Sequence, residues 1–152
     1  MFNRGSTAAA ETEDNFTESQ DKPAGLGYIR FIILLLAGLF LISVMIQVFL
    51  AGMASLVNAS HWQEHRSFIH YFEIIPVGIF VLSFIGHVRG AVRWLGLMMI
   101  LFIGLQYMTA NMASRLPALG ALHPVLALFL FWISIVAVQK AYFAWRNGVR
   151  SD

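Results

Sequence analysis

The sequence predicts an all-α protein, a four-helix transmembrane bundle, and three observations carry that expectation. The chain has 152 residues, 59% hydrophobic and 12% charged, with a mean hydropathy of +0.71. That is more apolar side chain than one soluble core of this size buries. The apolar residues gather in four stretches, approximately 28–54, 67–85, 94–112 and 121–138, each near the roughly 20 residues a helix needs to cross a hydrocarbon core about 30 Å thick. The stretches are continuously apolar and do not alternate, which excludes a barrel, the other structure able to span lipid. The same composition excludes disorder throughout, and a net charge of +2 carried by scattered basic residues argues against nucleic acid as a partner.

Taken in order, residues 1–27 hold Glu11, Glu13, Asp14, Glu18 and Asp21 among small polar residues and read as a disordered acidic cytoplasmic tail. The first apolar run begins at Tyr28 and is too long for a cleaved secretory h-region, so it stays in the bilayer. The transmembrane domain then occupies residues 28–146, and 147–152 form a C-terminal cytoplasmic tail. The connections near 55–66, 86–93 and 113–120 are short, which makes consecutive helices antiparallel neighbours. Lys22, Arg30, Arg89, Arg93, Lys140, Arg146 and Arg150 fall on one side of the bundle, against Arg66 and Arg115 on the other. This bias sets both termini in the cytoplasm. Tyr28, Trp62, Trp94, Tyr142 and Trp145 mark the interfaces as aromatic belts do.

The chain contains no cysteine. Disulfides, iron–sulfur clusters, c-type haem attachment and thiolate nucleophiles are therefore excluded, and metal chemistry would have to use histidine or carboxylate. The five histidines acquire meaning from an internal repeat. Gln47-Val-Phe-Leu-Ala-Gly-Met-Ala-Ser55 aligns with Gln106-Tyr-Met-Thr-Ala-Asn-Met-Ala-Ser114 at an offset of 59, with Gln, Ala, Met, Ala and Ser identical. One residue of loop adjustment then sets His65 opposite His123. Two helix pairs of parallel topology would hold these histidines at similar depth near the outer face, where the two axial ligands of one haem would stand. The plainer alternative leaves both rings at the membrane interface, satisfied by water or loop carbonyls.

The pattern Gln47-Val48-Phe49-Leu50-Ala51-Gly52, His65-Arg66, Leu105-Gln106, Leu116-Pro117 and Leu122-His123, with Ala127 one turn on, resembles one four-helix half of haem A synthase. In that family each half carries a histidine opening its second helix and another in its fourth, and the pairs hold haem. The chain is similar, more closely still, to an uncharacterised family of small four-span bacterial membrane proteins with His-Arg at the second helix and Leu-His-Pro at the fourth. The likeness covers roughly residues 40–132 and rests on Gln47, His65, Arg66, Gln106 and His123. It implies His65 and His123 as ligands of a b-type haem (haem b), and a place in the bacterial cytoplasmic (inner) membrane. Trp62 stands where the synthase has a glutamate, its outer-loop cysteine pair is absent, and its second half has no counterpart. The resemblance thus implies haem binding without synthase chemistry.

Glu73 is the only acid within an expected span, and an ionisable group there costs about 2.5–3.5 kcal/mol unless a partner offsets it. His70 shares its helix face at i,i+3, so the two form either a proton path or second shell to a cofactor, or a buried pair positioning helix 2. Pro76 should kink that helix. Gln47 and Gln106 would bond across helices, His87 lies in a cytoplasmic loop, and His61 with His65 has a zinc-like spacing that lacks a third ligand. Gly78, Gly86, Gly96 and Gly104 suit close helix packing, and the seven methionines suit core filling.

No residue set is assigned to catalysis, and the expected protein is not an enzyme by itself. Two readings stand: a b-type haem protein for electron transfer or haem handling near the outer face, and a cofactor-free accessory or structural subunit of a larger membrane complex. Either is compatible with a homodimer, and membrane lipid is the partner common to both.

Overall fold

A computed structural model describes residues 25–88 and 90–149, Val149 by its backbone alone. The expected acidic tail up to residue 24, Arg89 and residues 150–152 lie outside the described residues. The helices are α1 (Gly25–Leu56), α2 (His61–Phe72), α3 (Ile75–Ile85), α4 (Ala91–Met112), α5 (Pro117–Gly120) and α6 (Leu122–Val149). Four segments are long and apolar enough to cross a membrane: Gly25–Leu56, His61–Ile85, Ala91–Met112 and Pro117–Gly148. The all-helical four-span architecture agrees with the sequence expectation, and no strand occurs among the described residues.

The helices run past the apolar stretches at several ends. The second span starts at His61 instead of 67, and α6 continues to Val149 instead of ending near 138. Hydropathy marks the lipid boundary, whereas the backbone stays helical until something breaks its ladder, and Gln, Glu, Lys and Arg continue a helix into water readily. α1 ends where the N–H groups of Val57 and Asn58 both reach the Met53 carbonyl, at 3.0 and 3.1 Å. The Asn58 side chain then accepts the Ser60 N–H at 2.9 Å, closing a local turn that competes with the helix.

The second span is broken between Phe72 and Ile75. Pro76 has no N–H to offer the Phe72 carbonyl, and its ring crowds that carbonyl. The interruption is confined to Glu73 and Ile74, because the Glu73 N–H still bonds to Ile69 O at 2.9 Å and the Gly78 N–H to Ile74 O at 3.1 Å.

Lipid tails give helices no hydrophobic reason to associate, so close packing and satisfied polar groups must do it. α1 presents the stripe Ile33, Ala37, Phe40 and Val44 to the interior, and α6 answers with Ser134, Ala137 and Ala141, all buried. α1 lies between α6 and the α2–α3 span, and α4 lies between α3 and α6. Buried hydroxyls are satisfied within their own helices: Ser83 donates to Ile79 O and Ser134 to Leu130 O, both at 2.7 Å. Of the four expected packing glycines, Gly96 lies against a neighbour's main chain, since a Cβ there would stand 3.2–3.3 Å from the Phe80 backbone and Cβ. A Cβ at Gly86 would crowd Ile29, one at Gly78 would make ordinary contact, and one at Gly104 would meet nothing within 4 Å.

The α2 half of the second span departs from close packing. α3 packs on both α1 and α4, but α2 has extended backbone packing only with α1. Contacts from α2 to α4 and α6 are made by side chains, and they bring the polar residues of the spans together.

Candidate functional site

The two halves of the repeat meet at the end of the bundle where α2 and α6 begin. His65, in the first turns of α2, places its Nδ1 3.1 Å from the backbone carbonyl of Gln47 on α1. His123, second residue of α6, places its Nδ1 3.2 Å from the backbone carbonyl of Gln106 on α4. A carbonyl only accepts, so each imidazole donates Nδ1–H and keeps its lone pair on Nε2. The repeat places equivalent groups in equivalent contacts, at separations of 18 and 17 residues, the one-residue difference that the alignment required.

The two rings lie with centres 6.4 Å apart and planes inclined at 63°, both half-buried. Trp62 packs edge-on to His65 at 5.5 Å. The Gln47 amide donates to the His65 carbonyl at 2.8 Å and stands 3.4 Å from its Nε2, holding the first turn of α2 against α1. Gln47 Oε1 and Gln106 Oε1 are both buried without a hydrogen-bond partner. These equivalent orphans are unusual in a medium that offers no water to an amide. Arg66, next to His65, is exposed, and no hydrogen bond or ion pair among the described residues joins it to either histidine.

The expected pairing of His70 with Glu73 is present, with Nδ1 3.2 Å from Oε1. A third member was not anticipated from the sequence. The Tyr107 hydroxyl of α4 donates to Glu73 Oε2 at 2.5 Å, stands 3.3 Å from His70 Nδ1, and its ring stacks against that imidazole at 24° and 6.3 Å. Thr109 was likewise missed: it is buried, bonds to the Leu105 carbonyl at 2.9 Å, and lies 3.3 Å from His123 Nδ1. The signal for both was their place beside Gln106 in an otherwise apolar segment, where a hydroxyl needs a partner.

The remaining histidines lie apart. His61 faces Glu64 on its own helix at 2.7 Å, so its zinc-like spacing with His65 gathers no metal set. His87 is exposed in the loop between α3 and α4. Among the described residues no group of three or more His, Asp or Glu side chains is placed to hold a metal ion.

Residues 47–113 match a family described as "Family of unknown function (DUF6220)". The matched stretch contains Gln47, His65, Arg66, His70, Glu73, Gln106, Tyr107 and Thr109, and His123 lies beyond it. It agrees with the broader resemblance to an uncharacterised family, and haem A synthase is not what the stretch matches. Comparison with curated proteins and with solved structures returns no match.

Proposed function

We propose that the chain binds one b-type haem between His65 and His123 near the outer face of the bacterial cytoplasmic membrane, with both termini cytoplasmic, and serves electron transfer or haem handling. The observation that carries this reading is the matched pair of imidazoles, each with Nδ1–H committed to a glutamine carbonyl. An acceptor of that kind fixes the tautomer and turns the Nε2 lone pair to a metal, which at His65 would displace the 3.4 Å contact from the Gln47 amide. The spacing agrees: two metal–imidazole bonds of about 2.0–2.1 Å in line, with each ring centre about 1.1 Å behind its nitrogen, separate the ring centres by about 6.3 Å. The two ring centres stand 6.4 Å apart.

Haem suits this donor set better than a bare ion. Two histidines leave a bare ion short of ligands among the described residues, whereas a porphyrin brings its own nitrogens and asks the protein for two. Bound haem would supply one-electron transfer. The chain's own residues then have separable tasks: the Gln47 and Gln106 main-chain carbonyls orient the rings, and exposed Arg66 is a cation suited to a carboxylate-bearing group. Trp62 shields the His65 ring on one side.

The second reading, a cofactor-free accessory subunit, is favoured by the same rings being hydrogen-bonded and packed edge to face already. Purification in mild detergent from haem-replete cells separates the two. The proposal expects a red preparation with a Soret band and about one haem per chain; a colourless protein that gives no saturable low-spin spectrum when titrated with haemin overturns it.

A further inference from the structure

The cluster of His70, Glu73 and Tyr107 is left unused by the histidine pair, and its placement differs from that of an internal polar clamp. Glu73 lies six residues, about 9 Å along the helix, inside the edge of the apolar stretch 67–85, so it stands within the expected hydrocarbon region. It lies at the Pro76 break, beside the stretch where α2 and α4 touch only through side chains. The group is open: the His70 side chain is 63% exposed and that of Glu73 is 35% exposed. Lipid tails beside such an imidazole would offer it no hydrogen-bond partner.

The hydrogen bonds define what the exposed edge offers. The Glu73 carboxylate accepts from the Tyr107 hydroxyl on one oxygen and from His70 Nδ1–H on the other. His70 is thereby held with its Nε2 lone pair free, and no hydrogen bond among the described residues reaches that atom. The site is thus a single oriented acceptor, backed by a carboxylate and flanked by the Tyr107 ring. Its complement is a membrane-soluble molecule with an O–H donor on a flat aromatic head.

We propose that His70, Glu73 and Tyr107 form the binding site for the head of a lipid-soluble hydroquinone, which enters sideways from the bilayer and donates a phenolic O–H to His70 Nε2. The acceptor edge favours the reduced form, because a quinone carbonyl has no proton to donate. Tyr107 stacks beside the head group and fixes Glu73, and Glu73 fixes the imidazole. The site uses residues separate from the histidine pair and stands whether or not haem binds; with haem bound, a hydroquinone at His70 would lie five residues, about 7.5 Å along the helix, from His65.

The test is a titration of histidine-labelled (15N) full-length protein in nanodiscs with decylubiquinol kept reduced by ascorbate, reading the imidazole nitrogens. His70 Nε2, assigned from His70→Gln, should move saturably toward the hydrogen-bonded range. The dimethyl ether of the same head group, which has no O–H, should leave it in place. Glu73→Gln should raise the half-saturation concentration at least tenfold, and Tyr107→Phe, which takes its place if Glu73→Gln does not fold, should raise it several-fold. No saturable movement at His70, an equal response to the dimethyl ether, or folded variants that titrate like the wild type would each overturn the proposal.

Discussion

At the residue scale the backbone carbonyls of Gln47 and Gln106 orient the histidines, while the glutamine side chains have other work. Repeat alignment made Gln47, Gln106, His65 and His123 legible in the sequence, because identity at a fixed offset survives without any knowledge of contacts. It could not show that main-chain oxygens make the contact, since every residue carries one. Glu73 and His70 were legible for a different reason: an acid in an apolar run requires a partner, and i,i+3 spacing supplies one. Tyr107 was not, because aromatic residues are at home in membrane helices and only tertiary packing of α4 against the α2–α3 break shows that its hydroxyl caps Glu73. Its removal should be felt. Hydrogen bonds between membrane helices contribute about 0.6 kcal/mol on average and up to about 1.7 kcal/mol. Tyr107→Phe, which also strips a carboxylate oxygen of its donor, should therefore cost about 1–2 kcal/mol of unfolding free energy in detergent. A double-mutant cycle with Glu73→Gln should give a coupling of at least about 0.5 kcal/mol, and additivity would show that the two groups act independently.

At the scale of the element, the four spans were legible from hydropathy, whereas their ends were not. Composition reports where lipid stops, and α2 and α6 continue as helix into water beyond that limit. A disturbance at Pro76 was legible because a missing N–H has a local consequence; that it takes the form of a break between α2 and α3 depends on how each half packs. The glycines make the same point in reverse. Small residues permit close approach at many positions, but only the fold decides which are used: Gly96 meets the Phe80 backbone and Gly104 meets no neighbour. Gly96→Leu should accordingly destabilise the bundle by about 1–3 kcal/mol through overpacking. Gly104→Ala should be neutral, or stabilising by up to about 1 kcal/mol, since alanine is the better helix former. Thermal unfolding of the two variants in one detergent reads the contrast, and equal destabilisation would contradict this packing of α3 on α4.

For the whole molecule, the arrangement couples two unlike parts: one half in which α1, α3, α4 and α6 pack closely, and another in which α2 leans on α1 and reaches the others through polar side chains. The proposed orientation assigns that looser half to the outside. Single cysteines at exposed Ser60, Ala91 and Ala118 test it against an otherwise cysteine-free background. An impermeant thiol reagent on intact cells should label positions 60 and 118 and spare 91, and the reverse pattern would place the histidine pair on the cytoplasmic side.

The central claim is that His65 and His123 together hold one iron, and the absorption spectrum of the protein purified from haem-replete cells tests it most directly. The wild type should show the Soret and sharp reduced α bands of a low-spin, bis-histidine haem. His65→Ala and His123→Ala should each lose that low-spin spectrum, while His61→Ala, whose ring faces Glu64, should retain it. If both ligand variants fold and keep the wild-type spectrum, or if the wild type carries no haem and takes up none, the pair is not a haem site.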